Sequence, residues 1–99
     1  MIKLYLTQKA RQDVLEIEEY IAKDSHVAAV RFTDRLEQRW LSLKDNPNIG
    51  RKRTELMPDL RSVSEGDYYI FYRIGDKTIE IMRIVHTARK QEKIFTLQK

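Results

Sequence analysis

Residues 59–89 read DLRSVSEGDYYIFYRIGDKTIEIMRIVHTAR, and this stretch decides the fold. Three runs within it, Leu60–Glu65, Tyr68–Ile74 and Thr78–His86, are rich in Val, Ile, Tyr, Phe and Thr, the residues that fit a pleated surface. Gly66-Asp67 and Gly75-Asp76 separate them. A glycine opening a two-residue loop supplies the positive φ of a type II′ hairpin turn, so the stretch predicts an antiparallel meander. Such loops set Arg61 opposite Tyr72 and Val63 opposite Ile70, then Tyr72 opposite Ile79 and Ile70 opposite Ile81. One face then carries Arg61, Val63, Tyr68, Ile70, Tyr72, Ile79, Ile81, Arg83 and Val85. It is the more apolar and is expected to lie under helices. The other, with Leu60, Ser62, Ser64, Tyr69, Phe71, Arg73, Glu80, Met82, Ile84 and His86, is expected to be a half-exposed working surface. A one-residue slip in either loop swaps the faces of the strand beyond it.

Upstream, Ile2–Leu6 alternates weakly and reads as a short edge strand. Thr7 is placed to cap a helix over Gln8 to about Lys23, in which Ala10, Val14, Ile17 and Ile21 form one apolar stripe with Asp13, Glu16, Glu18 and Glu19 on its flanks. Asp24-Ser25 interrupts it, and a second helix from near His26 carries Ala29, Phe32, Leu36, Trp40 and Leu43 at three- and four-residue steps. The short connection predicts an antiparallel pair, and neither helix can hide its stripe alone, so both are expected to pack on the sheet. Asn46-Pro47-Asn48-Ile49-Gly50 ends the second helix. A basic connector from Arg51-Lys52-Arg53 to Pro58 then has no predicted regular structure. Downstream, residues 88–99 read as a short amphipathic helix through Ala88, Ile94 and Phe95, or as a mobile end. The whole is one α+β domain over residues 1–99, ordered β-α-α-β-β-β, with an antiparallel helix pair on a small, mainly antiparallel sheet.

The composition, 41% hydrophobic and 34% charged in 99 residues, is that of a globular domain with a single modest core. The absence of cysteine excludes disulfides, thiol catalysis and cysteine-based zinc sites. No apolar run approaches the roughly 20 residues of a membrane span, and MIKLYLTQ lacks a signal-peptide core; a cytoplasmic protein is expected. The net charge of +4 belongs to residues 51–99, which hold eleven Lys/Arg against seven Asp/Glu, whereas residues 1–50 hold eight of each. Arg51, Lys52, Arg53, Arg61, Arg73, Arg83, Arg89, Lys90, Lys93 and Lys99 carry that excess. Such clustering suits an anionic partner, nucleic acid or an acidic protein segment.

Catalytic signatures are sparse. The three glycines are isolated and form no phosphate loop, and with His26 and His86 the only histidines no metal-ligand spacing exists; neither metal nor cofactor is expected. His26 opens a helix and reads as a surface residue. His86, ending a strand near Arg83 and Arg89, suits either a general base or a hydrogen-bonding core residue. Arg61, Arg73 and Arg83 lie inside strands, where an unpaired buried charge is costly. They either pair with Asp59, Glu65 and Glu80 or line an anion-facing surface. Tyr68, Tyr69, Phe71 and Tyr72 serve as core or, where exposed, as stacking platforms.

These residues in this order resemble the RelE/ParE superfamily of bacterial toxin–antitoxin toxins, and within it the ParE-type branch. The resemblance runs from Ala10 to Arg89. It rests on Ala10, Asp13, Ile17, Tyr20, Ile21, Ala22 and Asp24 of the first helix and Ala29, Phe32 and Leu36 of the second. Pro47, Gly50, Arg51, Leu60-Arg61, Tyr69–Arg73, Ile79–Ile81, Arg83, His86 and Arg89 complete it. It implies the β-α-α-β-β-β architecture and a cognate, ParD-like antitoxin whose flexible segment neutralises the toxin in a hetero-oligomer. The antitoxin is expected on Val14, Ile17, Ile21, Phe32, Leu36 and Trp40.

The branch decides the activity. A ParE-type chain poisons DNA gyrase as an inhibitor, and here target contacts are expected from Arg61, Arg73, Arg83, His86, Arg89 and Lys90. A RelE-type chain is a ribosome-dependent mRNA endoribonuclease, for which Arg61, Arg83 and His86 are the catalytic candidates. Against cleavage, this chain has Tyr68-Tyr69 where ribonuclease members tend to carry a basic residue. It also lacks a catalytic tyrosine near its end, where Phe95 and Leu97 stand. A third alternative is a toxin-fold protein that only binds antitoxin.

Overall fold

The meander forms the centre of a five-stranded sheet. β1 (Lys3–Leu6) leads into α1 (Gln8–Ala22) and α2 (His26–Ser42), then a 3₁₀ turn (Pro47–Ile49) and β2 (Arg51–Lys52). β3 (Leu60–Glu65), β4 (Tyr68–Gly75) and β5 (Thr78–His86) follow, and then a short α3 (Gln91–Thr96). The computed structural model describes residues 2–96, with side chains to residue 95. Leu97 and Lys99, named above, lie outside the described residues. The sheet order is β1-β5-β4-β3-β2, with β1 parallel to β5 and the other pairs antiparallel. The basic connector is therefore not wholly irregular: it contributes β2 as an edge strand, too short at two residues to show periodicity.

Side-chain caps fix both helices, the first as the sequence predicts. The Thr7 hydroxyl accepts from the Ala10 N–H, and the Ser25 hydroxyl from the Ala28 N–H. Both helices lie on one face of the sheet, where Ala10, Phe32, Leu36, Trp40 and Leu43 pack against Val63, Ile70, Tyr72, Ile79, Ile81 and Ile84. Val14, Ile17 and Ile21 join this core half-buried. Tyr72 ties in the loop after α2: its hydroxyl accepts from the Gly50 N–H (2.8 Å) and donates to the Pro47 carbonyl (2.6 Å). A Cβ on residue 50 would overlap that phenol, so only glycine fits.

The first hairpin has the expected register, Arg61 opposite Tyr72 and Val63 opposite Ile70, with φ of +58° at Gly66. The second does not. Its loop is Asp76-Lys77 rather than Gly75-Asp76, the left-handed φ of +57° falls on Lys77, and Tyr72 faces Ile81. Between Phe71 and Tyr72 the ladder then skips Met82, a β-bulge. Beyond that bulge the faces swap relative to the expectation: Ile84 belongs to the helix-side core, with Ile70 opposite it, while Val85 packs on the far side. His86 meets Tyr68, itself packed on the helix-side core, edge to face at 5.2 Å.

The far face is a second small core rather than an exposed working surface. Leu60, Phe71 and Val85 are buried there under Ile94 and Phe95 of α3, with Leu56, Met57, Tyr69 and Met82 around them. Arg53, expected in the basic patch, is buried on this face with its guanidinium against the rings of both Tyr69 and Phe71, 5.4 and 5.3 Å from their centres. Its guanidinium donates to Glu55, Ser62 and Gln91, which fastens α3 to the sheet and draws the Glu55 carboxyl below its ordinary pKa. Among the described residues no helix is long and apolar enough to cross a membrane.

Candidate functional site

β1 covers only Thr78–Ile81 of β5, so the second half of β5 lies beyond its neighbour's end. There α1 takes over. Asp13, in line with Ala10 and Ile17 on the inward side of the helix, is buried and accepts three hydrogen bonds. Arg83 Nε donates at 2.7 Å and the Ile84 N–H at 3.0 Å to Oδ2, and Arg83 Nη2 donates at 2.9 Å to Oδ1. The carboxylate thus satisfies a backbone donor that has no strand partner and holds the guanidinium in a bidentate fork. These hydrogen bonds raise the pKa of Arg83 above its ordinary value. The sequence signal for a buried Asp13 is its place on the apolar stripe, beside Val14.

Around Arg83 the chain gathers cations from three elements. Lys9 of α1, Arg83 of β5, Arg89 and Lys90 of the turn after it, and Lys93 of α3 line a groove of about 410 Å³, closed on one side by Ile94. Arg89 also borders a neighbouring cleft of about 350 Å³ that holds Tyr20, Tyr68, Ile84 and His86. In that cleft Tyr68 is wedged between Phe32 and His86, and burial raises the pKa of its phenol. His86 Nδ1 accepts the Ala88 N–H at 3.0 Å.

The structure therefore brings together Arg83, His86, Arg89 and Lys90 of the expected target-contact set, and adds Lys9 and Lys93. It does not bring in Arg61 or Arg73. Arg61 Nη1 donates to the carbonyls of Gly50 (2.8 Å) and Asn48 (3.2 Å), two strands away from β5, about 10 Å across the sheet. Arg73 pairs with Glu80 at 3.0 Å, as the sequence allowed, whereas Glu65 pairs instead with Arg35. The three catalytic candidates do not converge: Arg61 borders a different cavity, with Asn48 and Lys52.

The structure places the residues expected to receive a partner on the helix pair in or against the sheet-facing core. Phe32, Leu36 and Trp40 are core residues facing the sheet, and Val14, Ile17 and Ile21 are packed against that core. The apolar surface that the helices present outward is Leu15, Tyr20, Val27 and Val30, each more than half exposed. Between the helices, Leu15, Ala22, Ala29 and Val30 floor a shallow groove of about 310 Å³ with Glu18 and Glu19 beside it.

Comparison with known proteins bears on what this arrangement serves. Residues 4–91 match the family described as ParE toxin of type II toxin-antitoxin system, parDE. Toxin RelE2 of Caulobacter vibrioides is 35% identical over 89 residues, covering 90% of this chain and 99% of that protein. Toxin ParE1 of Mycobacterium tuberculosis is 43% identical over 42 residues, 41% of this chain and 43% of the relative. Among solved structures, the chromosomal ParDE TA system from P. aeruginosa superposes with a TM-score of 0.74 at 24% identity, over 87% of this chain and 96% of that one. The intact E. coli RelBE toxin-antitoxin complex gives 0.62 at 15% identity, over 90% and 100%. These two likenesses establish the fold.

Proposed function

The chain belongs to the ParE toxin family of type II toxin–antitoxin systems, and from that membership we propose that it inhibits DNA gyrase and is neutralised by a cognate antitoxin. One observation carries the choice of gyrase over mRNA: the groups that RNA cleavage would need are already engaged. A ribonuclease must take a proton from a ribose 2′-hydroxyl, stabilise the charge on the attacked phosphate and protonate the leaving oxygen. His86 uses its Nδ1 lone pair on the Ala88 N–H, so in the neutral ring Nε2 carries the proton and no basic nitrogen faces outward. Arg83 spends its fork on Asp13. What stays available is charge, in Lys9, Arg89, Lys90 and Lys93, which suits holding an anionic surface rather than breaking a bond. The target contacts are thus assigned to this groove, and the antitoxin contacts to Leu15, Val27 and Val30.

A second reading, the ribosome-dependent endoribonuclease, is favoured by the near full-length similarity to a relative named RelE2. Two reactions run side by side with antitoxin-free protein separate them. Loss of supercoiling with accumulated cleaved DNA, and intact mRNA on translating ribosomes, is the expected result. Cut mRNA with unaffected gyrase would reverse the assignment. Inactivity in both, from a folded protein, would leave only antitoxin binding.

A further inference from the structure

We propose that the cationic groove and the cleft beside it bind a single strand of nucleic acid, its phosphates on the groove and one base against Tyr20. That the strand is DNA rests on the gyrase reading above. Two independent features point to such a ligand. The first is electrostatic. Lys9, Arg89, Lys90 and Lys93 crowd one groove, and among the described residues none of them forms an ion pair. Like charges gathered in one groove with no ion pair among the described residues repel, and a string of phosphates relieves that repulsion while releasing its own counterions. The second is the continuation of the groove, through the shared Arg89, into a cleft walled by aromatic rings. Tyr20 there is 70% exposed, and its ring contributes nothing to either core. An exposed ring adjoining a cationic track is the arrangement that holds an unstacked base. Glu16, bordering the same cleft, offers a carboxylate acceptor for an exocyclic amino group. A duplex would use the cations alone, because its bases are already stacked; the cleft selects a strand with a base free to enter.

The test is fluorescence anisotropy of the antitoxin-free chain with labelled oligothymidylate, an abasic strand of equal length, a DNA duplex and oligouridylate. Oligothymidylate is expected to bind with a log–log salt slope of about −2 to −3, given about 0.7 per contacted phosphate on a single strand. Lys9→Glu with Lys93→Glu, both exposed positions, should reduce the magnitude of that slope by about 1.4. Tyr20→Ala should weaken oligothymidylate roughly ten-fold and leave the abasic strand unchanged. Equal binding of the abasic strand or of the duplex would overturn the base cleft. Displacement of oligothymidylate by a lower concentration of polyglutamate, in phosphate equivalents, would overturn nucleic acid as the ligand. A ten-fold preference for oligouridylate would overturn the assignment to DNA and undercut the gyrase reading, while leaving strand binding intact. No binding to any strand, by protein that still traps gyrase on cleaved DNA, would overturn this inference and leave that reading standing.

Discussion

Asp13→Asn isolates the contact that joins α1 to the open half of β5. In the native protein one carboxylate receives the Arg83 fork and the Ile84 N–H, with side-chain exposures of 10% for Asp13 and 15% for Arg83. Solvent screening of this pair is correspondingly weak. Asparagine keeps the shape and one acceptor for Ile84, but turns an amide donor toward a guanidinium that can only donate. Leaving one member of a buried pair uncompensated costs about 3–5 kcal/mol, and the retained acceptor puts the expected loss near 3 kcal/mol. In a domain of this size 1 kcal/mol moves the midpoint by about 4–8 °C, so Tm should fall by roughly 12–24 °C. Urea unfolding should show a lower midpoint at unchanged slope. Adding Arg83→Met to Asp13→Asn removes the stranded charge and should recover part of the loss, giving a coupling above about 1 kcal/mol in the double-mutant cycle. A loss under 1 kcal/mol, or strictly additive effects, would refute the view that this pair is a buried structural clasp. The same clasp makes Arg83→Ala a poor probe of toxicity, because it strands Asp13 and destabilises the domain.

Gly50→Ala should cost about 1–3 kcal/mol, measured by urea unfolding, because its methyl overlaps the Tyr72 phenol. Burial raises the pKa of Tyr72. The folded state therefore holds that proton more tightly than the unfolded chain. The resulting stability is complete below the unfolded tyrosine value of about 10 and is lost as pH rises through the higher folded value. Thermal midpoints should accordingly drop above about pH 10, and Tyr72→Phe, less stable at pH 7, should show a shallower alkaline decline. Phe95→Ala should cost about 3–5 kcal/mol by the same unfolding assay, since its ring is 2% exposed and packs edge-on to Phe71 at 4.8 Å.

The sequence carried the layers and most of the core because these depend on periodicity. Ala29, Phe32, Leu36, Trp40 and Leu43 recur at helical steps, and all are buried. The first hairpin was legible because Gly66 supplies the φ its turn needs. The second was not: Lys77 adopts a left-handed conformation that its residue type does not announce, and the bulge at Met82 falls just past Ile81, where the pairing with β1 ends, a tertiary feature with no local signature. That bulge then decided the fate of the site. It moved Ile84 to the helix side and left Asp13 to meet Arg83. In sequence the charge of Asp13 marks it as a flank residue and that of Arg53 marks it as a surface cation, because the partners that let each be buried lie far along the chain. Lys9 carries no such signal: it sits in a neutral half of the chain and becomes part of the groove only when α1 crosses β5.

The central claim is that the cationic groove, not an acid–base centre, does the work. Lys9→Glu, Lys90→Glu and Lys93→Glu together change exposed side chains only, so the fold should survive, as the urea midpoint will show. In a gyrase reaction that scores trapped, cleaved DNA, the triple variant is predicted to lose most trapping while His86→Ala retains it. Full trapping by a folded triple variant, or its loss on His86→Ala alone, would contradict the account.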